Sequence, residues 1–500
     1  MLFWGLHSPA PAYRVSKFKK FDHYAVTLDA EYYLLPFRFT MLKDDNYVAT
    51  NMAGEFVVLS RDKLDEFAKG KLGSGDPLFA ELKAKHFILD TDSSVTLDLL
   101  AVKLRTKFAP LSNFTALHIF VTTLRCDHSC PYCQVSRANN DRREFDMSRE
   151  TALKSIDLAF RSPSPALKFE FQGGESLLNL DLIRFIIEEA KRRNINEQRD
   201  LQFVIATNLA FFSDEAIKLA REHDILISTS LDGPADLHNR NRPRPGNDSY
   251  QRTIEGIHRV RRELGRDRVG ALMTTTAASL PRVRAIIDEY IAQDFHGIFL
   301  RPLSPYGFAI KTKFYQAYDQ SKWLDFYFEG LDYIIDLNLK GFAFTEYYAA
   351  MVLRKMLTPF QPGYVDLISP AGVGVAAVVY NYDGDVYASD ESRMLAEMGD
   401  KSFCIGNVHS NSYEEIFLNN TLLEALESSF AASVPMCSWC AFEPYCGADP
   451  VFHHATQSDP VGKKPLSAFC NRNMSVFKGL IERINSSQEV REIFERWAYM

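Results

Sequence analysis

The middle of this chain predicts an α/β fold built on a parallel sheet, and three observations carry that prediction. Between about residues 111 and 310, short apolar and β-branched runs alternate with segments of helical periodicity. Closely spaced Cys126, Cys130 and Cys133 follow the first of those runs. A second group, Cys437, Cys440, Cys446 and Cys470, gathers near the far end and marks a cysteine-rich segment. The predicted order is an amino-terminal α+β domain (1–110), the strand-helix domain (111–310), a helical connector (311–365) and the cysteine-rich domain (366–500).

The chain of 500 residues is 46% hydrophobic, ample for a large buried core. Its formal charge of -7 argues against bulk nucleic-acid or anionic-membrane binding. The apolar opening, 1–6, is interrupted at once by His7 and prolines and lacks the layout of a signal peptide. No apolar run reaches the roughly 18 residues of a membrane span. The expected location is the cytoplasm, where eight cysteines read better as ligands than as disulfides.

In the first 110 residues, alternation at 32–39, 47–51 and 54–59 predicts short strands. Ser60 is placed to cap a helix that Gly70 stops, and Asp76-Pro77 opens another.

In the next domain the predicted strands are 117–124, 167–172, 201–207, 225–231, 269–276 and 297–302, with helical patterns such as 181–187 and 250–257 between them. The cysteine triplet sits in the loop after the first strand, so the thiols can converge on one metal. Iron-sulfur cubes normally take four thiolates. Three leave one position open, as at an open zinc site, and mark a reactive centre. Structural zinc is the local alternative, but His128 lies inside the loop and fits no ordinary four-ligand spacing.

Chemistry in such a sheet gathers at the carboxyl ends of the strands. There stand Gly173-Gly174-Glu175, Thr207-Asn208 and Ser230-Leu231-Asp232, followed by a basic loop with Arg240 and Arg242. Two glycines allow close backbone approach. A guanidinium can grip a carboxylate bidentately, with Arg242 the first choice, Arg240 the second and Arg301 a further candidate. Taken alone, each piece is also an ordinary strand-to-helix turn.

The triplet Cys126, Cys130, Cys133, with aromatic Tyr132 before the last cysteine, resembles the signature of the radical SAM superfamily. The resemblance implies a partial (β/α)6 barrel and a [4Fe-4S] cluster whose open iron binds S-adenosylmethionine. It further implies reductive cleavage to a 5′-deoxyadenosyl radical that abstracts hydrogen from substrate. The cofactor-binding residues it implies are Tyr132, Gly173, Gly174 and Glu175 toward the amino group, Thr207 and Asn208, Ser230 and Asp232 toward the ribose, and Arg242. Ser176 and Leu209 depart from the family's usual proline and glycine.

The C-terminal cysteines resemble part of the SPASM extension of peptide maturases, implying that Cys437, Cys440, Cys446 and Cys470 ligate one auxiliary [4Fe-4S] cluster. A structural zinc on the same four thiolates remains open. Cysteines expected near Gly372, Ser389 and Pro450 are absent, so a second auxiliary cluster lacks ligands and Cys404 is read as a lone thiol. Asp390, beside Glu391, is the candidate proton acceptor, with a solvated acidic turn the alternative. The amino-terminal domain resembles a leader-peptide recognition module, which adds a leader strand to its exposed edge; a packing extension is the alternative.

Stretches 117–121, 133–137 and 390–400 resemble the His-Xaa-Ser system radical SAM maturase. That implies a maturase that crosslinks or oxidises a ribosomally made precursor peptide. Implied partners are that peptide, an electron donor such as flavodoxin or ferredoxin, and, as an optional partner, a second paired maturase. Two other readings stand beside it: a sulfatase-maturase-like enzyme oxidising a protein side chain, and a non-catalytic metal-cluster protein that binds peptide.

Overall fold

The computed structural model describes residues 32–90, 95–135, 137–139, 141–361 and 363–500. The apolar opening at 1–6, Ser136 and Pro362 lie outside them.

The amino-terminal unit starts with β1 (Tyr32–Leu34), β2 (Phe37–Met41), β3 (Asn46–Asn51) and β4 (Phe56–Ser60). It continues with α1 (Arg61–Ala68), α2 (Pro77–Ala84), β5 (Ile88–Asp90) and α3 (Val95–Phe108). β2, β3 and β4 form an antiparallel meander, while β1 pairs with β5. The punctuation in the sequence works as expected: Ser60 Oγ accepts from the Lys63 amide, and Asp76 caps α2 with Pro77 in its first turn. Phe67, Leu82 and Phe87 are buried in a core of the unit's own.

The central elements are β6 (Leu117–Thr123), α4 (Arg149–Ala159), β7 (Ala166–Gly173), α5 (Leu180–Glu197), β8 (Asp200–Ala206) and α6 (Asp214–Glu222). After them come β9 (Leu226–Ser230), α7 (Ala235–Asn241), α8 (Ser249–Leu264), β10 (Val269–Leu272) and α9 (Val283–Ala292). β6 to β10 are parallel neighbours in chain order, each joined to the next through helix. The inward faces are apolar for a physical reason: Phe120, Phe169, Phe171 and Ile205 interlock beneath the helices.

The sixth predicted strand departs from expectation. Only β11 (Gly297–Ile298) is extended, and it pairs with β12 (Thr345–Glu346) instead of joining the main sheet. The Glu346 carboxylate accepts the Leu300 amide at 3.1 Å, so a side chain takes a donor that a neighbouring strand would otherwise use. The segment still closes on β10, because the Thr275 amide donates to the Arg301 carbonyl at 2.9 Å.

The other edge of the sheet is extended from far along the chain. After α10 (Gln320–Leu339) and α11 (Tyr347–Leu357), β13 (Ala377–Tyr380) pairs parallel with β6, and β14 (Asp385–Tyr387) and β15 (Cys404–Asn407) follow antiparallel. The sheet therefore has eight strands and runs through the predicted boundaries at 310 and 366. His118 stitches the join, with Nδ1 3.1 Å from the Tyr380 hydroxyl and Nε2 3.0 Å from the Thr115 carbonyl. Burial depresses its pKa to about 3, so it stays neutral. α12 (Asp390–Ala396), α13 (Pro450–Gln457), α14 (Ala468–Ile484) and α15 (Gln488–Ala498) complete the chain. Among the described residues, no helix is long and apolar enough to cross a membrane.

Candidate active site and metal centres

The loop after β6 is tied down before any metal is considered. Arg125 forms a two-pronged pair with Asp146 at 2.7 and 2.9 Å, and the amides of Gly174 and Glu175 donate to the carbonyls of Thr123 and Arg125. A Cβ on Gly174 would lie 2.3 Å from the Arg125 carbonyl oxygen, and one on Gly173 2.1 Å from that of Thr123. The two glycines thus let the chain approach its own cysteine loop, in addition to lining the cavity beside it.

Asp127 and His128 anchor the loop from below. Asp127 Oδ1 meets His128 Nδ1 at 2.9 Å and accepts from Asn208 Nδ2 at 2.7 Å. His128 Nε2 lies 2.8 Å from Ser249 Oγ, which also faces His238 Nε2 at 3.0 Å. Cys126, Asp127 and His128 offer ligand atoms within 4.8 Å of one another. Both ring nitrogens of His128 are nevertheless engaged by protein, which leaves the thiols as the available donors.

Cys126, Cys130 and Cys133 line a cavity of about 230 Å³ at the carboxyl ends of the strands. Burial raises the Cys126 thiol pKa and pushes that of Cys130 up to about 12, with Arg242 opposing the shift at Cys130. Free thiols are favoured there until a metal compensates the thiolate charge. Three convergent soft donors beside open space fit an iron-sulfur cube with one free iron.

The predicted cofactor-binding residues divide into two groups. Tyr132, Gly173, Gly174, Thr207, Asn208, Ser230 and Arg242 line the cavity, as do Arg301 and Asp390. Arg240 is exposed on α7. Asp232 is fully buried behind the wall, accepting the Tyr132 hydroxyl at 2.5 Å and pairing with Arg242 at 3.2 Å. Arg242 also lies over the Tyr132 ring at 5.5 Å. Glu175 is likewise buried, its oxygens accepting the amides of Asn208 at 2.8 Å and Leu177 at 3.1 Å. Burial raises its pKa to about 7. Both carboxylates are spent on protein groups, so their influence on the cavity passes through Tyr132, Arg242 and Asn208.

Asp390 begins α12 and pairs at 3.3 Å with the buried Arg393 guanidinium. Its neighbour Glu391 is not part of the cavity wall; burial, then Asp366, Asp390 and Asp449, push its pKa up to about 8. Glu170, Gln172 and Arg137 also line the cavity, although the sequence reading did not single them out. One signal was present: β7 alternates Lys168, Glu170 and Gln172 with buried Leu167, Phe169 and Phe171, in a parallel strand expected to be apolar on both faces.

The second centre is built differently. Cys437, Cys440, Cys446 and Cys470 line one cavity of about 630 Å³. Burial lifts the pKa of Cys437 to about 12 and of Cys440 to about 11. Four thiols satisfy either an iron-sulfur cube or tetrahedral zinc. Cys404 lies in β15 and is not part of this cavity. Positions where further cysteines were expected serve as helix starts: Ser389 caps α12 through a capping box, and Pro450 opens α13 behind the Asp449 cap.

Comparisons with known proteins agree with this geometry. Residues 120–276 match the family Radical SAM superfamily. A cysteine-type anaerobic sulfatase-maturating enzyme of Clostridium novyi is 23% identical over 376 residues, covering 70% of this chain and 92% of that protein. An uncharacterised Methanocaldococcus jannaschii protein is 30% identical over 141 residues, 28% of this chain, and the match spans 46% of that relative's length. Native anSMEcpe with bound AdoMet superposes with a TM-score of 0.63 at 18% identity, covering 76% of this chain and 99% of that one. Streptococcus suis SuiB bound to precursor peptide SuiA gives 0.51 at 13% identity, covering 88% and 99%.

The parallel sheet, the three-thiol loop and the match over residues 120–276 identify a radical SAM domain within this chain. The chain shares the fold of anSMEcpe and of SuiB, and anaerobic sulfatase-maturating enzymes are among its relatives. Structures of both anSMEcpe and SuiB have S-adenosylmethionine bound.

Proposed function

We propose that the chain is a maturase acting on a ribosomally made precursor peptide, where it crosslinks or otherwise oxidises a side chain. The observation that carries this is the shared cavity of the three-thiol loop after β6 and of Asp390 after β14, strands two apart in the sheet but far apart in the chain. Cys126, Cys130 and Cys133 hold the first cluster, and Cys437, Cys440, Cys446 and Cys470 the auxiliary one. When bound, the first cluster and S-adenosylmethionine supply a 5′-deoxyadenosyl radical by reductive cleavage.

The protein's own residues then bind and orient. The Gly173-Gly174 backbone and Asn208 flank the amino end of the cofactor, Arg242 its carboxylate and Ser230 its ribose, while Tyr132 and Asp232 fix the Arg242 guanidinium. Asp390, held by Arg393, is placed to take the proton that the substrate radical gives up on losing its electron, which the auxiliary cluster at the four C-terminal thiols would accept. Wall residues keep water from the radical and hold substrate in near-attack geometry.

The amino-terminal unit is read as the leader-recognition domain, an external flavodoxin or ferredoxin as electron donor, and the cytoplasm as the location. A second maturase would be an optional partner. Oxidation of a protein side chain is the runner-up, favoured by the sulfatase-maturating relatives.

Anaerobic reconstitution, a dithionite assay for 5′-deoxyadenosine and mass analysis of a co-expressed short peptide from the gene's neighbourhood test the proposal. About eight irons, deoxyadenosine and a mass change of the peptide support it. Deoxyadenosine with an unaltered peptide and a modified protein partner favours the runner-up. A fully loaded enzyme that forms no deoxyadenosine with either class of substrate overturns both.

A further inference from the structure

Three of the four C-terminal cysteines sit on a loop, 437–446, that has only the short 3-10 turns Cys437–Trp439 and Glu443–Tyr445 for internal structure. What shapes this loop comes from the other end of the chain. Arg38 in β2 and Thr50 in β3 face each other directly in the ladder, so their side chains leave the same face of the sheet. Arg38 Nε donates to the Ser438 carbonyl at 2.6 Å, and its Nη1 pairs with Glu443 at 3.1 Å. Thr50 Oγ1 donates to the Ala441 carbonyl at 2.5 Å.

A third grip lies at the β3–β4 turn, where the Gly54 carbonyl accepts the Tyr445 hydroxyl at 2.6 Å. A side chain at Gly54 would crowd Pro444 and Tyr445 at 3.3 Å, and its φ of +94° favours glycine independently. Residues 438, 441, 443 and 445 are therefore held by the amino-terminal sheet, interleaved with Cys437, Cys440 and Cys446. Phe39 and Thr40 of the same β2 complete the cavity wall around the thiols. The Glu443 side chain is 7% exposed, and without Arg38 its charge would lose its ion-pair partner.

We infer that the amino-terminal unit is the outer half of the C-terminal metal centre, with Arg38 and Thr50 the positioning residues that hold three of its cysteines in ligating geometry. The inference rests on the reading that the four thiolates bind a metal. It makes the unit more than a docking module for peptide. By linkage, whatever tightens the loop also tightens β2 and β3, so metal loading and the order of the amino-terminal sheet rise together.

The test uses the full-length reconstituted protein, a chelator challenge that follows metal release from each centre, and amide hydrogen exchange on β3. In Arg38→Ala the C-terminal metal should leave about tenfold faster, in the range found when groups supporting a ligand shell are removed. Arg38→Lys should recover part of the difference, release from the Cys126 centre should stay unchanged, and β3 amides should exchange faster in metal-free protein. Thr50→Val, which removes only a hydroxyl, carries the same test if Arg38→Ala fails to fold. Equal release rates in folded variants, with β3 exchange indifferent to metal, overturn the inference and leave the metal reading standing. Wild-type protein that binds no second metal overturns both.

Discussion

The two cysteine centres solve opposite problems with the same ligand. The first takes three thiols from one loop and faces a wall of polar groups, Asn208, Arg242, Asp390 and Glu170 among them. The second takes four thiols from two segments and faces largely apolar surroundings, with Phe39, Trp439, Phe442 and Phe477 in its wall. The first loop is anchored by its own domain, through Asp127, His128 and Arg125. The second depends on a distant sheet. An open centre must keep its geometry without a fourth protein ligand, so its rigidity comes from hydrogen bonds beneath the loop. A closed centre supplies four ligands, and its loop can be shaped from outside.

The charge environment differs as well. At the first centre Arg242 acts on Cys130 and is already shared with Asp232. Around the second centre, Lys464 is 5% exposed beside Cys437, and Lys355 is 8% exposed near Cys446, its pKa pushed down to about 7 by burial and Lys107. At the second centre Lys464 therefore offsets thiolate charge beside Cys437, whereas Lys355 is turned to the Leu367 carbonyl.

The widest separation between the centres should come from their cysteines. Replacing Cys126, Cys130 and Cys133 by Ala should abolish deoxyadenosine while the C-terminal metal stays in place. Cys470→Ala should do the reverse, emptying the second centre and leaving deoxyadenosine. Metal counting and chromatography read both, and if either change emptied both centres the contrast would collapse.

Asp390→Asn ranks next. It should slow product formation by about 10²-fold, the scale of a lost proton acceptor, while deoxyadenosine still forms. Comparing the yields of deoxyadenosine and modified peptide separates that role from general damage.

Gly174→Ala sharpens the idea that the first loop is held from within. Its Cβ would meet the Leu124 and Arg125 carbonyls at 2.4 and 2.3 Å. We expect about 1–3 kcal/mol of destabilisation and lower iron content at the first centre, with the second centre spared. Denaturant titration and metal counting are the readouts.

The smallest effect is on pH dependence. The folded pKa of His118, about 3, lies below its unfolded value of 6.5, so its contribution to stability is intact above 6.5 and is lost as pH falls toward 3. Unfolding midpoints between pH 7 and 4 should drop less steeply in His118→Asn, whose side chain does not titrate.

Much of this was legible in the chain because it is local. The cysteine loop follows β6 directly, strand edges came out within a few residues, and Ser60 and Asp76 capped the helices they were read to cap. What escaped was set by distant partners. Glu346, a side chain 46 residues from Leu300, shortened the sixth strand, and Arg38 reached Glu443 across 405 positions. Asp232 and Glu175 stand in the expected segments, yet tertiary packing turned both into buried acceptors. Glu170 could have been found by asking why a strand expected to be apolar on both faces carries polar residues at every second position.

The pairing of β13 with β6 has a consequence for how the enzyme comes into being. His118 and the tyrosine that receives it are 262 residues apart in the chain. At about 5–20 residues per second of synthesis, β6 waits tens of seconds on the ribosome with one edge bare. During that interval the strand that carries the catalytic cysteines is a sticky template for other chains, and its thiols emerge before the wall that shields them. Maturation of the first centre should therefore wait until β13 has been made, and a truncated protein ending before residue 377 should aggregate rather than take up iron.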